Sequence, residues 1–526
     1  MPTTSSALQT LTRNATSGFL VFLIALPLCL GIALASGFPP VAGVLTAIVG
    51  GLLCSHLGSA PLTIKGPAAG LIVISIGAVT ELGMGDPELG YRRALAVGVV
   101  AAVVQIGFAA VRADRLATIM PPSVVHGMLA AIGVIIIAKQ APIVLGVQGA
   151  HGEPLEMLAA LPRYVAEANP AIVIIGAASL AILFGMPRIP ALRKVPAPLV
   201  VLLVSVPLGL ALGLSDGASG TLGGLSYAVD DRYLVRLPGN LLEAVTTPDF
   251  SVITSATSIK YVAMYALVGS VESLLSALAV DAMDPAKRAS DLRRDLLITG
   301  AGNLVAASIG GLPMISEIVR SKANIDAGAT GPWSNFFHGL FLLLFVALLP
   351  GTLQLIPLAA LAAMLVVTGT RLASPKEFKH TLDIGWDQLL LFVSTMLVTL
   401  ATDLLIGVGV GLALKLVLHL VRGRDLVGML RRPAQITRSG ALLLVQVTGP
   451  MAFTNLLSLE SDLRRALTPE VQEVRVDLRQ ARFVDHTTLE RLQGMANEWP
   501  HARLELVGLD ALKPAADHPT AFRIQA

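Results

Sequence analysis

Four ionisable residues stand where chain facing hydrocarbon cannot carry them cheaply. Lys65 lies in TIKGPAAG, from Thr63 to Gly70; Glu272 lies in GSVESLLSALAV; Glu317 and Arg320 lie in GGLPMISEIVRS, from Gly310 to Ser321. A charge at bilayer depth costs about 3 kcal/mol or more unless it meets a partner, water or a solute. Two of these stretches are also broken, at Gly66-Pro67 and at Gly311-Leu312-Pro313. Non-helical backbone at that depth is tolerated only where protein covers it or where it lines a cavity. Proline is accepted in the first turn of a helix, where its missing N–H would be unpaired anyway. Each break is therefore expected to open a half-helix whose free amides and positive dipole end face a shared space that attracts anions. The alternative, two proline kinks in ordinary spanning helices, leaves the neighbouring charges unexplained.

The rest of the chain is built to hold such a space inside a membrane. Of 526 residues, 54% are hydrophobic and only 14% charged, with a mean hydropathy of +0.74, far more apolar than a soluble chain of that length. About fourteen apolar segments centre near residues 26, 49, 74, 101, 133, 177 and 205, then near 269, 301, 319, 341, 362, 394 and 412. The third of each group of seven is the broken one. An odd number of spans per repeat makes the halves enter the membrane from opposite sides, the inverted-repeat arrangement of many secondary transporters. The expected fold is an α-helical polytopic membrane protein of about fourteen segments in a seven-plus-seven inverted repeat, followed by a small cytoplasmic α/β domain. Its expected divisions are a cytoplasmic N-terminus over 1–16, a transmembrane domain over 17–425 with repeats at about 17–215 and 255–425, and a soluble domain over 437–526. In that last stretch charges return, and LLLVQV and VRVDL read as strands. The apolar run from Phe19 to Leu34 contains Pro27 and is followed at once by another, so it reads as a retained first span rather than a cleaved leader.

Several function classes drop out. A net charge of +3 provides no basic surface for nucleic acid. Cys29 and Cys54 lie in apolar segments and form neither a disulfide framework nor a metal pattern. No His, Cys and acid cluster has metal-ligand spacing and no nucleophile sits in a legible triad, so neither an enzyme nor a bound cofactor or structural metal is expected. Basic loop residues (Arg112 with Arg115, Arg188 with Arg193 and Lys194, Lys287 to Arg294, Arg371 to Lys379) fall on one side of an even count. Arg422, Arg424, Arg431 and Arg432 precede the soluble domain on that same side. Both termini are then cytoplasmic and the protein is a multi-pass component of the plasma (inner) membrane.

Four blocks carry a resemblance to a known family: LPLCLGIALASGFPP from Leu26, the Gly66-Pro67 break, ALVGSVESLLSA from Ala266, and RSKANIDAG from Arg320. Together they resemble the SulP anion transporters, whose animal members are the solute carrier anion exchangers. The tail VDLRQARFVDHTTLERL, from Val476, resembles the core of a STAS domain, so the resemblance covers nearly the whole chain. It implies core and gate domains, a homodimer, elevator-type motion, and an anion held among segments one, three, eight and ten. The implied anion site comprises Lys65, Gly66, Pro67, Ala68 and Ala69 with Ser316, Glu317, Ile318, Val319 and Arg320. Backbone amides of Ala68, Ala69, Ile318 and Val319 are its foremost donors, and Leu26, Pro27 and Leu28 wall it.

Arg320 matches the family's arginine, whereas Val319 replaces a usual hydroxyl and Glu317 stands where relatives place a small or hydroxyl residue. Glu317 would repel an anion unless protonated or neutralised. Lys65 and Arg320 are the available cations, so the four side chains sum to zero and leave the helix dipoles as the attraction. Lys65 and Glu317 also read, alternatively, as a structural bridge. Glu272 and Ser276 share a helix face and resemble the acid and hydroxyl that bind sodium in a bicarbonate-transporting relative, with Glu for Asp and Ser for Thr. Glu272 is thus the expected coupling residue, carrying a proton or, with Ser276, Na+; the bland reading is a salt bridge between helices. His126 reads either as a titrating group or as packing, and His56, His338 and His419 read as interfacial. In the tail the residue after Asp485, often a phosphorylatable Ser in bacterial regulators, is His486, which favours a scaffold role or a dimer or cytoplasmic-partner contact. The expected function is secondary active transport of a small inorganic oxyanion, bicarbonate or sulfate, coupled to H+ or Na+. Dicarboxylate transport, or a membrane-anchored regulatory platform built on the STAS-like tail, is the alternative.

Overall fold

The computed structural model describes residues 4–58, 60–112, 120–150, 152–192, 195–237, 239, 241–423, 426–498 and 502–525. Arg115, Arg193, Lys194 and Arg424, used above for orientation, lie outside them. Each of the fourteen apolar segments falls in a helix: α1 (Thr4–Ala35), α2 (Pro40–Leu52), α3 (Ile72–Gly83), α4 (Pro87–Ala110), α5 (Pro122–Val144), α6 (Pro170–Gly185) and α7 (Ala197–Ala211), then α8 (Ala256–Met283), α9 (Leu292–Ser308), α10 (Ile318–Asp326), α11 (Trp333–Leu348), α12 (Leu358–Leu372), α13 (Trp386–Ala401) and α14 (Leu404–Gly423). Strand β1 (Ile64–Pro67) precedes α3, the hairpin β2 (Ala218–Leu222) and β3 (Leu225–Val229) lies between α7 and α8, and β4 (Met314–Glu317) runs directly into α10. Among the described residues, eight helical stretches are long and apolar enough to cross a bilayer, and α3, α7, α11 and α13 are shorter apolar helices.

Local chemistry explains the helix starts. Pro occupies the first position of α2, α4, α5 and α6, where its fixed φ suits the helix and no N–H is wasted. Asp86 caps α4, its Oδ1 accepting from the backbone of Glu88 at 2.9 Å and Leu89 at 3.1 Å; Ser255 and Asp291 cap α8 and α9 likewise. The first helix begins at Thr4, so residues 4–16, expected as a tail, are continuous with the first span.

The chain divides into two compact units, residues 1–114 with 132–372 and residues 115–131 with 373–526. In the first, Phe22, Leu26, Cys29 and Leu30 of α1 pack with Val44 and Ala47 of α2 and Leu342 and Val346 of α11. In lipid such packing is held by dispersion and interhelical hydrogen bonds rather than by the hydrophobic effect. In the second, α13 and α14 belong with the C-terminal domain, whose four-stranded sheet has the order β5 (Ala434–Ser439), β6 (Leu442–Val447), β7 (Glu473–Asp477), β9 (Arg503–Val507). The β5–β6 pair is antiparallel, and β6, β7 and β9 are parallel, linked through α15 (Leu456–Ala466) and α16 (His486–Glu498). The two-residue period of a strand turns Leu443, Val445, Val447, Val474 and Val476 inward against Leu459, Leu463, Leu489 and Leu492 of those helices. A smaller sheet joins β8 (Phe483–Val484), β10 (Leu512–Pro514) and β11 (Arg523–Gln525).

Candidate functional site

The two breaks meet. β1 and β4 pair antiparallel, with Ile64 opposite Glu317, Lys65 opposite Ser316, Gly66 opposite Ile315 and Pro67 opposite Met314. Because each strand feeds its own helix, α3 and α10 leave this crossing in opposite directions, as an inverted repeat requires. Backbone outside regular structure must find partners inside a membrane protein, and side chains supply them. Asn303 Oδ1 accepts from Met314 N at 2.6 Å while its Nδ2 donates to Met314 O at 3.1 Å. Ser321 Oγ accepts from Ile64 N at 2.8 Å, Asn324 donates to Leu62 O at 3.1 Å, and Thr46 donates to Leu312 O at 2.9 Å.

Lys65 does not bridge to Glu317. Its Nζ donates to Asp295 Oδ2 at 2.8 Å, Thr299 Oγ1 at 2.9 Å and Ser316 Oγ at 2.9 Å, and Lys65 and Asp295 are 2% and 1% exposed. An ammonium has three protons, and these acceptors take all of them, so nothing is left for an anion. Ser316 N in turn donates to Ser273 Oγ of α8 at 3.1 Å. The lysine thereby ties the strand crossing to α9 and, through Ser316, to α8. Its charge is cancelled by Asp295, a residue outside the sequence-based set.

The groups left over are Glu272, Glu317 and Arg320. Arg320 is buried, and its Nε and Nη2 have no hydrogen-bond partner. Its Nη1 donates to Cys29 Sγ of α1 at 3.4 Å. A Cβ on Gly66 would stand 2.4 Å from that Nη1, so only glycine lets the guanidinium lie against β1. A Cβ on Gly70 would likewise stand 2.2 Å from Glu272 Oε1, which lets the α8 carboxylate press onto the turn that starts α3. Glu272 and Glu317 are half-buried, each with one carboxylate oxygen unpartnered, and they are electrostatic neighbours. Glu317 is turned toward the backbone N–H of Ala69 and lies within the field of Arg320. The Ala68 amide is spent on Pro313 O at 3.4 Å. Ile318 and Val319 have exposed side chains, and Ser276 is buried on α8.

Sequence reasoning missed the supporting residues although α9 carries a legible sign of them. Asp295, Thr299 and Asn303 recur every four residues and so form one polar stripe along α9. His338, read as interfacial, is buried in α11 within the field of Arg320, with both ring nitrogens unpartnered. His126 is half-exposed and 3.7 Å from Glu377, in the second unit and so outside this site. A cavity of about 10 Å³ behind Asn303, lined also by Gln105 and Tyr265, is sized for one water and is not the anion space.

In the second unit, Asp485 caps α16, accepting from Thr488 N at 2.8 Å and from Phe453 N at 3.0 Å. Its Oδ2 lies 3.3 Å from Nζ of Lys415 and 3.5 Å from Nε2 of His419, both on α14. Burial alone would raise the Asp485 carboxyl, but Lys415, His419 and the Thr488 bonds hold it down to about 2. His419, read as interfacial, is instead buried beside Asp485.

Broken helices set against one another around a buried guanidinium with two unpartnered nitrogens, inside a multi-pass helical membrane protein, define the secondary-transporter class. Residues 11–395 match the Sulfate permease family, and the chain belongs to that family of anion transporters. The putative sulfate transporter YvdB of Bacillus subtilis is 25% identical over 98% of this chain and 94% of its own length. The bicarbonate transporter BicA of a Picosynechococcus species is 25% identical over 83% of this chain and 78% of its own. In fold, the chain matches the transmembrane domain of a cyanobacterial BicA with a TM-score of 0.63 at 23% identity, over 76% of this chain and 98% of that one. It matches the murine Solute Carrier 26 family member A9 anion transporter with a TM-score of 0.65 at 14% identity, over 94% and 85%. The C-terminal sheet domain is consistent with a STAS domain.

Proposed function

We propose that the protein is a secondary active transporter of a small inorganic oxyanion, bicarbonate or sulfate, coupled to protons through Glu272. The observation that carries this reading is the side-chain charge left at the crossing once Lys65 is cancelled by Asp295. Glu272, Glu317 and Arg320 sum to −1 when both carboxylates are ionised, so an arriving anion is repelled until a proton or cation is taken up. Unpartnered atoms on all three side chains supply places for a ligand or a proton, and Arg320 supplies the fixed positive charge with a fork of donors suited to an oxyanion. Protons are favoured over Na+ because Glu272 lies against the start of α3 with a second carboxylate as neighbour, an arrangement that protonation relieves directly. The reading extends to elevator-type alternating access, a homodimer, and placement in the inner membrane with both termini cytoplasmic, with the STAS-like domain offering a surface for a cytoplasmic partner.

Uptake of labelled sulfate or bicarbonate into proteoliposomes, driven by an inward proton gradient, tests it. Glu272→Gln is expected to abolish gradient-driven uptake while leaving a monodisperse protein. Unchanged gradient-driven uptake in that variant would remove Glu272 from coupling.

A further inference from the structure

We propose that Glu317 is a tethered occupant of the anion site, which its carboxylate fills when charged and leaves when protonated, so that proton and substrate exchange at a second residue besides Glu272. This rests on the transport reading above and adds to it a second proton-linked position.

The argument begins with what the site offers a negative group. The α3 half-helix opens through Ala68 and Ala69, and a helix N-terminus presents amide donors and a positive dipole end. Ala68 has spent its amide on Pro313. The amide of Ala69 faces the Glu317 carboxylate. The second feature that attracts anions is Arg320, 1% exposed with two nitrogens unpartnered, and Glu317 lies in its field as well. The protein's own carboxylate therefore lies beside the Ala69 amide and within the field of Arg320, the two groups that a free oxyanion would use. It does not close off Arg320: among the described residues no carboxylate lies within ion-pair distance of that guanidinium, and one oxygen of Glu317 is itself without a partner. A charge so placed is held by the same fields that would hold substrate, and the two cannot share them.

The charged and titratable groups facing Glu317 come from each element packed around it. They are Arg320 on α10, which follows β4 directly, Cys29 on α1 and Glu272 on α8, with His338 on α11 in the field of Arg320; the Lys65–Asp295 pair on the strand's other side is neutral as a unit. Among the described residues Glu272 is the negative neighbour, and it opposes ionisation of Glu317. Protonating Glu317 removes its attraction to the Ala69 amide and to Arg320 and leaves both for the incoming anion. On release of the anion the proton departs and the carboxylate returns. One proton is bound and one released per cycle at this position, with no other bond made or broken.

The test uses full-length protein in proteoliposomes with equal pH on both sides, reading counterflow of labelled sulfate, and separately of labelled bicarbonate, from pH about 5.5 to 8.5. Wild type is expected to lose apparent affinity as pH rises, by up to tenfold per unit where one proton is linked to binding. Glu317→Gln, which cannot charge, is expected to bind more tightly than wild type at the alkaline end and to show a flatter pH slope; Glu317→Ala supplies the same arm should the amide fold poorly. Glu272→Gln is expected to lose gradient-driven uptake and, with the charge opposing Glu317 ionisation removed, to lose affinity in counterflow at lower pH than wild type. If both Glu317 variants retain the wild-type slope, or bind more weakly than wild type at every pH, the tethered-occupant proposal is overturned while the transport reading stands. If wild type shows neither counterflow nor proton-driven uptake of either anion, the transport reading itself fails.

Discussion

Removing the Lys65 charge while keeping its length, as in Lys65→Met, should destabilise the membrane unit far more than removing both members of its pair. Asp295 is 1% exposed, its Oδ1 already lacks a partner, and Lys65 is the one cation within ion-pair distance of it among the described residues. Breaking a buried pair from one side leaves an uncompensated charge and costs about 3–5 kcal/mol. Asp295→Asn, which keeps an acceptor for the ammonium but removes its counter-charge, should cost a similar amount. The double variant Lys65→Met/Asp295→Leu leaves neither charge of the pair behind. It forfeits the bonds to Thr299 Oγ1 and Ser316 Oγ, each about 1 kcal/mol net, and so should cost about 2 kcal/mol. The expected order of apparent melting temperature for purified, detergent-solubilised protein is wild type, then the double variant, then either single. Recovery of folded protein should follow the same order where the singles are too unstable to purify. A double variant as unstable as the singles would show that Lys65 and Asp295 act independently, and the account of the crossing as pinned by a mutually compensating pair would be wrong.

Two further outcomes follow from Gly70 and from His486. Gly70→Ala places a Cβ 2.2 Å from Glu272 Oε1, so the carboxylate, the flexible end of its side chain, must swing away from the start of α3. Proton-driven uptake should fall with little change in melting temperature, and uptake equal to wild type would refute the close approach. In the C-terminal domain, burial pushes the His486 imidazole down to about 4, with its Nδ1 on Thr520 O at 2.9 Å. The native ring stays neutral where the unfolded one charges. Its contribution is therefore fully present above about pH 6.5 and is lost as pH falls toward about 4, on the order of 3 kcal/mol. Melting of the full chain between pH about 7 and 4.5 should steepen toward acid in wild type and flatten in His486→Gln; identical slopes would remove His486 from the acid response.

The positions of the breaks were legible in the sequence because proline and glycine act locally. Pro67 and Pro313 interrupt the hydrogen-bond ladder wherever the rest of the chain lies, and hydropathy placed the fourteen segments for the same reason. Pairing was not legible, because it depends on which helices become neighbours. Lys65 and Glu317 sit in the two matching breaks and looked like partners, yet the ammonium reaches Asp295, 230 residues along the chain. That residue follows Arg293 and Arg294, and the cluster reads as an aqueous loop. The polar stripe from Asp295 through Thr299 to Asn303 was the available clue that this face of α9 looks into the protein. His338 and His419 were misjudged for a related reason: burial is decided by the helices packed around a ring, not by the residues beside it in sequence. The consequence for function is out of proportion to the change. Moving one lysine from Glu317 to Asp295 alters no residue at the crossing, but it takes the side-chain charge facing the anion from zero to −1. A neutral site would have needed only the helix dipoles to draw an anion in. On the proposed reading, a site at −1 is neutralised first, and cation or proton uptake becomes a condition of binding rather than an accompaniment to it.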